Sequence, residues 1–236
     1  MELDWSERSS HIRTLYRPWQ SGDGYDEHII QTAEAQLGCR LPTPLRTFYA
    51  AWGRRKDFTR SNQALVGPDH LIVRSDALIF CFENQAVCAW AIRREDLALT
   101  NPPVIVAYSH QNWDWGELDA PLNWMLSHTH VSDFLDTLAY HHALCGGAIH
   151  GGYVGHTKNT GNEEHQKAWL EQHWCSTSVG RMIFGVSDEV PDEFLPPLFI
   201  RDGQALNLWG FSVAVRDVEA LDEISHALQV TWIKQW

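Results

Sequence analysis

The sequence predicts an α+β fold, with a mixed or antiparallel sheet flanked by helices. Two short amphipathic helical runs near the start are followed by several strand-like runs separated by turn residues, without regular strand–helix–strand alternation. The length of 236 residues fits one large domain or two small ones. We expect an N-terminal arm and linker over residues 1–25, a domain over 26–145 and an α/β C-terminal extension over 146–236, which either completes that domain or forms a second lobe.

The first elements expected are two helices joined by a tight turn. Asp26 can cap the first helix, and Gly38 can end it. Thr43 can cap the second, Pro44 suits its first turn, and Gly53 follows its last apolar residue. The apolar residues of both helices recur at helical spacing: Ile29, Ile30, Ala33 and Leu37, then Leu45, Phe48, Tyr49 and Trp52. The basic run over residues 54–56 that follows reads as a solvated turn.

Strands are expected next. The apolar runs 78–82 and 87–92 are separated by polar residues, which predicts a β-hairpin, and residues 104–108 form a third strand. A helix capped by Ser132 then ends at the double glycine 146–147. The glycine-rich stretch 146–161 predicts loop or short strand. The later elements are a helix from Asn162 to Trp174, strands at 182–186 and 211–215, a hairpin turning at Asp202-Gly203, a helix carrying Val218, Leu221, Ile224 and Leu228, and a strand at 230–233.

The charge balance narrows the classes of partner. Lys and Arg number 18 and Asp and Glu number 30, so the formal net charge is −12. A nucleic-acid binder needs a basic face, and an anionic membrane would repel this chain, whereas a basic protein would be attracted. The sequence has no apolar run of spanning length and no secretory leader, and its five cysteines are scattered, so we expect a cytoplasmic protein with reduced thiols.

A search for catalytic patterns yields only weak signals. Several histidines cluster near Cys145 and Cys175, and His128-x-His130 with a further ligand could bind a metal. No metal-binding spacing motif is present, so we expect structural or surface histidines, no metal and no cofactor. The glycine-rich stretch lacks the Lys-Ser/Thr of a phosphate loop, and no nucleophile motif occurs. The clustered histidines are His128, His130, His141, His142, His150, His156, His165 and His173.

Tryptophan content points instead to binding, since 12 tryptophans exceed what a core of this size needs and indoles are enriched at binding hot spots. Trp52, Trp90, Trp169 and Trp209 fall on apolar stripes and are expected in the core, whereas Trp5, Trp19, Trp113 and Trp115 lie in polar sequence. Acidic residues beside indoles, or in a proline-containing loop, suit a basic partner, although a pinned or solvated loop is the alternative. The binding candidates are Trp113, Asp114, Trp115, Glu117, Asp188, Glu189, Asp192 and Glu193.

One run of motif residues resembles a known family. Ile30-x-x-Ala33-Glu34-x-x-Leu37-Gly38-x-x-Leu41-Pro42-x-x-Leu45-x-x-Phe48-Tyr49, closing at Trp52-Gly53, resembles the opening signature of the SUKH superfamily. Glu83-Asn84-Gln85, Trp90-Ala91-Ile92 and Asn101-Pro102-Pro103-Val104 are similar in order and spacing to its hairpin and following strand. The resemblance covers residues 26–145 and leaves 146–236 unassigned.

The resemblance implies a SUKH-like fold and a non-catalytic binding function. Many bacterial members are immunity proteins that neutralise polymorphic or contact-delivered toxins by direct contact. We therefore expect a cytoplasmic immunity protein whose partner is a cognate toxin with a basic surface, and no catalytic residues. A regulatory or scaffold protein of the same fold with a non-toxin partner is the alternative, and a metal-dependent enzyme using the histidines is the third reading.

Overall fold

A computed structural model describes residues 10–108, 122–157, 163–177, 198–201, 203–207 and 212–234. The described residues form helices and two six-stranded antiparallel sheets, one built from the first half of the chain and one from the second. The predicted α+β class with flanking helices is therefore confirmed.

Within the described residues, four helices precede the first sheet: α1 (Ser10–Leu15), α2 (Glu27–Leu37), α3 (Thr43–Trp52) and α4 (Lys56–Thr59). The predicted helical hairpin is α2 and α3, and Gly38 ends α2 at a φ of 69°. Thr43 is not the cap of α3 as predicted, because Pro42 occupies the cap position and the Thr43 N–H donates to the Thr100 carbonyl at 3.2 Å. The segment predicted as an arm also differs, since Ile12 of α1 is buried in the main core.

The first sheet contains β1 (Gln63–Leu65), β2 (Ile72–Val73), β3 (Ala77–Glu83), β4 (Cys88–Arg93), β5 (Val104–Tyr108) and β6 (Met125–His128). Its order is β1-β3-β4-β5-β6, with β2 also paired to β3. The predicted β3–β4 hairpin is present, and the Glu83 carboxylate accepts the Gln85 N–H at 2.7 Å in its turn. One face packs on the helices through Phe80 and Trp90, and the other carries small residues such as Ala89 and Ala91.

Helix α5 (Val131–His142) covers the inner face of this sheet, with Phe134 against Phe80 at a ring distance of 5.2 Å. Ser132 is not its cap, contrary to the prediction, because the helix begins one residue earlier and His130 precedes it. The Asn101 side chain instead accepts the Ser132 N–H at 3.1 Å, so a distant loop supplies the acceptor that a cap would have given. After α5 the chain makes a π-turn (Ala143–Gly147).

The second sheet contains β7 (His150–Thr157), β8 (Cys175–Thr177), β9 (Leu198–Arg201), β10 (Gln204–Asn207), β11 (Ser212–Val215) and β12 (Val230–Lys234), in the order β12-β7-β11-β10-β9-β8. Helices α6 (Glu163–His173) and α7 (Ala220–Leu228) cover one face. The buried Gln166 joins them by donating to the Leu228 carbonyl at 2.6 Å. The predicted β9–β10 hairpin is present, whereas Val218, predicted on the buried face of the last helix, is exposed and precedes α7.

The glycine-rich stretch predicted as loop or short strand contains β7, an eight-residue strand paired on both sides. Its glycines allow close packing rather than flexibility. A Cβ on Gly151 would lie 2.1 Å from the Ala143 carbonyl oxygen, and one on Gly147 would lie 2.3 Å from the Asp57 carbonyl oxygen. The end of α5 and β7 can therefore approach only because these positions lack side chains.

The second sheet packs against the π-turn at the end of α5. Ala205 and Ala214, on the second sheet's face away from α6 and α7, belong to the same buried cluster as Ala143 and Leu144 of the π-turn. A separate cluster, including Leu170 and Ile224, lies between that sheet and its own helices. The turn at the end of α5 is therefore where the first half of the chain packs against the second. Among the described residues, no helix has the length and apolar character needed to span a membrane.

Candidate binding surface

The eight binding candidates predicted from sequence are not described by the structure. Trp113, Asp114, Trp115 and Glu117 belong to the undescribed range 109–121, and Asp188, Glu189, Asp192 and Glu193 belong to 178–197. Whether they form one surface stays a prediction. Candidate surfaces within the described residues must therefore be sought elsewhere.

The described tryptophans mostly follow the prediction. Trp52 and Trp90 are buried, Trp169 is half-buried against the second sheet's core, and Trp209 lies outside the described residues. Trp19 is the exposed one, with 59% of its surface accessible, while Trp5 is also outside the described range. An indole exposed to this degree is unusual in a folded domain, and Trp is among the residues enriched at binding hot spots.

Exposed acidic side chains occur on α6, on α7 and in the turn that precedes α7. Three are paired with bases: Glu171 with Lys167 at 3.8 Å, Glu223 with Arg201 at 3.2 Å and Asp217 with Arg216 at 3.0 Å. Three more have no ion pair within the described part of the chain: Glu164, Glu219 and Asp222. We call these six carboxylates the acidic helical side; they were not singled out from sequence because their spacing resembles that of any solvated helix.

The described histidines of the predicted cluster lie on several different elements, and His141 and His142 are neighbours at the end of α5. Among the residues that the structure describes, no three His, Cys, Asp or Glu side chains are placed to hold a metal ion. His130 is exposed and lies 3.1 Å from Asp133, and His173 stacks on Trp169. The neighbouring pair His128-x-His130 therefore does not supply two ligands to one described site, because His128 is buried and engaged elsewhere.

The His128 ring contacts two hydroxyl groups. Its Nδ1 lies 2.9 Å from the Ser127 hydroxyl, and its Nε2 lies 3.3 Å from the Thr137 hydroxyl. The ring also meets Phe134 edge-on. Because both ring nitrogens are occupied and the side chain is buried, the arrangement anchors α5 to β6 rather than presenting a free base to a substrate.

A thiol and an imidazole meet at the end of α5. The Cys145 Sγ lies 3.7 Å from His141 Nε2, and Asn62 donates to the same sulfur at 3.7 Å. Burial raises the pKa of the Cys145 thiol, and burial lowers the pKa of His141 to about 3. A reactive Cys–His pair needs a lowered thiol pKa and a raised imidazole pKa, which give a thiolate beside an imidazolium. The shifts here have the opposite signs, so the two side chains have a packing role.

His142 is fixed beside it. Its Nδ1–H donates to the Phe58 carbonyl at 2.9 Å, while its Nε2 is buried without a partner. Burial lowers the pKa of His142 to about 4. The neutral ring therefore belongs to the folded state, since burial disfavours the charged imidazolium more than the backbone hydrogen bonds at Phe58 and Gln63 favour it.

The basic run predicted as a solvated turn contains a wholly buried arginine. The Arg55 guanidinium pairs with Asp57 at 2.5 Å and donates to the Arg17 carbonyl at 3.1 Å. It also lies 5.0 Å from the centre of the Phe58 ring and 5.2 Å from that of Trp52. The prediction is wrong for Arg55, because three aromatic rings and a carboxylate form a buried site that a short charged run does not reveal.

The residues that carry the family resemblance have packing and turn roles. The Glu34 carboxylate accepts the Leu41 N–H at 3.0 Å and pairs with Arg46 at 3.2 Å, which closes the turn between α2 and α3. Ala33 is buried, and Leu45, Phe48, Tyr49 and Trp52 belong to the main core cluster. No family model, curated protein or solved structure matches this chain.

Proposed function

We propose that this chain is a cytoplasmic, non-catalytic immunity protein of the SUKH type, which binds a cognate bacterial toxin with a basic surface and blocks it by contact. The observation that carries the proposal is the α2–α3 hairpin closed by Glu34. The resemblance implies a signature made of packing and turn residues, and its described members have these roles here.

Electrostatics supports a basic protein partner. The net charge of −12 is not spread evenly: residues 10–108 contain 11 Lys and Arg against 10 Asp and Glu. The excess of negative charge therefore comes from the other segments, which include the predicted candidates and the acidic helical side. Such a field accelerates association with a basic protein and weakens as salt is added.

The titratable clusters support binding over catalysis. The raised pKa of Cys145 and the lowered pKa of His141 leave both groups neutral near pH 7. Neutral, packed side chains stabilise the joint between the two halves of the chain but do not provide a nucleophile.

The proposal is tested by capture and by survival. Tagged protein is used to capture its partner from the native cytoplasm, the partner is eluted with salt and identified by mass spectrometry, and its gene is then expressed with and without this chain. We expect one basic polypeptide that kills cells alone and is tolerated when this chain is present. A captured regulator or envelope enzyme without toxicity would instead assign the chain to the regulatory or scaffold alternative.

Charge reversal then locates the surface. Asp114→Lys with Glu117→Lys, and separately Glu219→Lys with Asp222→Lys, are compared with the matched control Asp69→Lys with Glu95→Lys on the first half. We expect one of the first two pairs to slow association and to reduce its salt dependence, whereas the control pair changes both less. Equal effects of all three pairs would indicate that only net charge matters.

A further inference from the structure

The exposed indole of Trp19 is held in one orientation. Its Nε1–H donates to the Ala51 carbonyl at 3.2 Å, at the end of α3. The loop behind it is fixed by two hydrogen bonds from Arg17 to the Asp23 carboxylate, at 3.0 and 2.6 Å, and by the Gln20 N–H at 2.7 Å. A large apolar side chain that is already ordered loses little entropy when a partner covers it.

Two guanidinium groups adjoin the same helix end. Arg13 lies over the Trp52 ring at 5.5 Å, and Arg54 lies over the Tyr25 ring at 5.1 Å. Both are exposed, and neither has an ion pair with a carboxylate of the described residues. We call Arg13, Trp19 and Arg54 the Trp19 corner.

The corner is locally positive in an acidic protein. The charge of Arg17 is balanced by Asp23 and that of Arg55 by Asp57, so Arg13 and Arg54 carry the positive charge of the corner, of which the exposed Asp69 beside Tyr25 offsets a part. The C-terminal end of α3 offsets roughly half a charge of this. Arginines that contact an aromatic ring retain N–H groups that can bind carboxylates.

We propose that the Trp19 corner binds an acidic peptide segment of a partner protein, with carboxylates on Arg13 and Arg54 and an apolar side chain covering the indole. Exposed Trp and Arg together are typical of hot spots, and the charge complementarity selects an acidic occupant. The surface has the opposite sign to that expected for the basic toxin, so the inference is independent of the proposed function.

The test uses the full chain and a fluorescein-labelled peptide, Glu-Glu-Leu-Phe-Glu-Glu, with Lys-Lys-Leu-Phe-Lys-Lys as its matched control. We expect saturable anisotropy changes with the acidic peptide only, which weaken as salt rises from 25 to 250 mM. Trp19→Ser and Arg54→Glu should each weaken binding by roughly tenfold or more. Arg94→Glu, with the same charge change on an exposed residue elsewhere, should weaken it less than threefold.

Two results would overturn the inference. The first is no saturable binding of the acidic peptide at millimolar concentration by a chain whose thermal melting is normal. The second is a dimer in sedimentation velocity that Trp19→Ser dissociates, since the corner would then be occupied by a second copy. Because Trp19 and Arg54 are exposed, their variants should melt within a few degrees of the parent, so a loss of binding would not reflect unfolding.

Discussion

Acid should unfold this protein through the histidine pair at the end of α5. Burial lowers the pKa of His142 to about 4 and that of His141 to about 3. In the unfolded chain both should titrate near 6.5, so below that pH the unfolded state binds more protons. The stability that the neutral rings contribute is complete above about pH 6.5 and is lost as the pH falls towards the folded-state values.

The size of this loss in the free energy of unfolding follows from the linkage between protonation and folding. At pH 5 the unfolded chain lies about 1.5 pH units below its histidine pKa, while the folded rings remain mostly neutral. Each histidine should therefore lower the free energy of unfolding by about 2 kcal/mol between pH 7.5 and pH 5, and the pair by about 4 kcal/mol. Carboxylates such as Asp23, whose pKa is lowered by its hydrogen bonds from Arg17, should add their loss only at lower pH.

Urea unfolding followed by tryptophan fluorescence at pH 7.5 and 5.0 measures this difference. His142→Asn keeps a donor for the Phe58 carbonyl and removes one titrating ring, so the pH-dependent loss should fall to about half. The control His226→Gln, at an exposed residue of α7, should leave the loss unchanged. A loss below about 1 kcal/mol in the parent, or an equal loss in His142→Asn, would refute the reasoning.

Two further predictions concern the packing around the same joint. Arg55→Met should lower the free energy of unfolding by about 3 kcal/mol in urea titrations, because Asp57 loses its buried partner. The control Arg94→Met, on the surface, should change the free energy of unfolding by less than about 0.5 kcal/mol. Equal effects of the two variants would show that the ion pair of Arg55 contributes nothing to stability. Gly151→Ala should cost more than about 2 kcal/mol, since its Cβ would meet the Ala143 carbonyl at 2.1 Å, and Gly38→Ala, in open space at a φ of 69°, about 1 kcal/mol. Thermal melting in which Gly38→Ala is the more harmful of the two would contradict this order.

Local patterns were sufficient for most of the elements. The α2–α3 hairpin and the β3–β4 turn were predictable because their apolar spacing, glycine stops and turn residues act within a few positions. The predicted helix caps were wrong where the acceptor for the first N–H groups comes from a residue distant in sequence. Ser132 was predicted to cap α5, but the Asn101 side chain binds its N–H across 31 positions.

The features of the candidate binding surfaces also fall into those that the sequence indicates and those that depend on tertiary contacts. The acidic balance and the excess of tryptophan are properties of the sequence, and they were enough to favour a protein partner over nucleic acid. The polar sequence around Trp19 indicated that its indole is not a core residue, but the orientation of the indole was not decidable locally, because it depends on the Ala51 carbonyl that receives its N–H. The eight predicted binding residues remain a prediction for the toxin-binding surface.

The sequence by itself determined the fold class, the helical hairpin and the sign of the charge, because each depends on composition or on neighbours along the chain. Only the tertiary structure decided that Arg55 is buried, where the histidines lie and that the glycines permit close packing. Arg55 is buried because aromatic rings from separate elements surround it, and β7 is a paired strand because β11 and β12 flank it, while Gly151 lets it pack against the end of α5. Such contacts join residues far apart in sequence, so no local pattern encodes them.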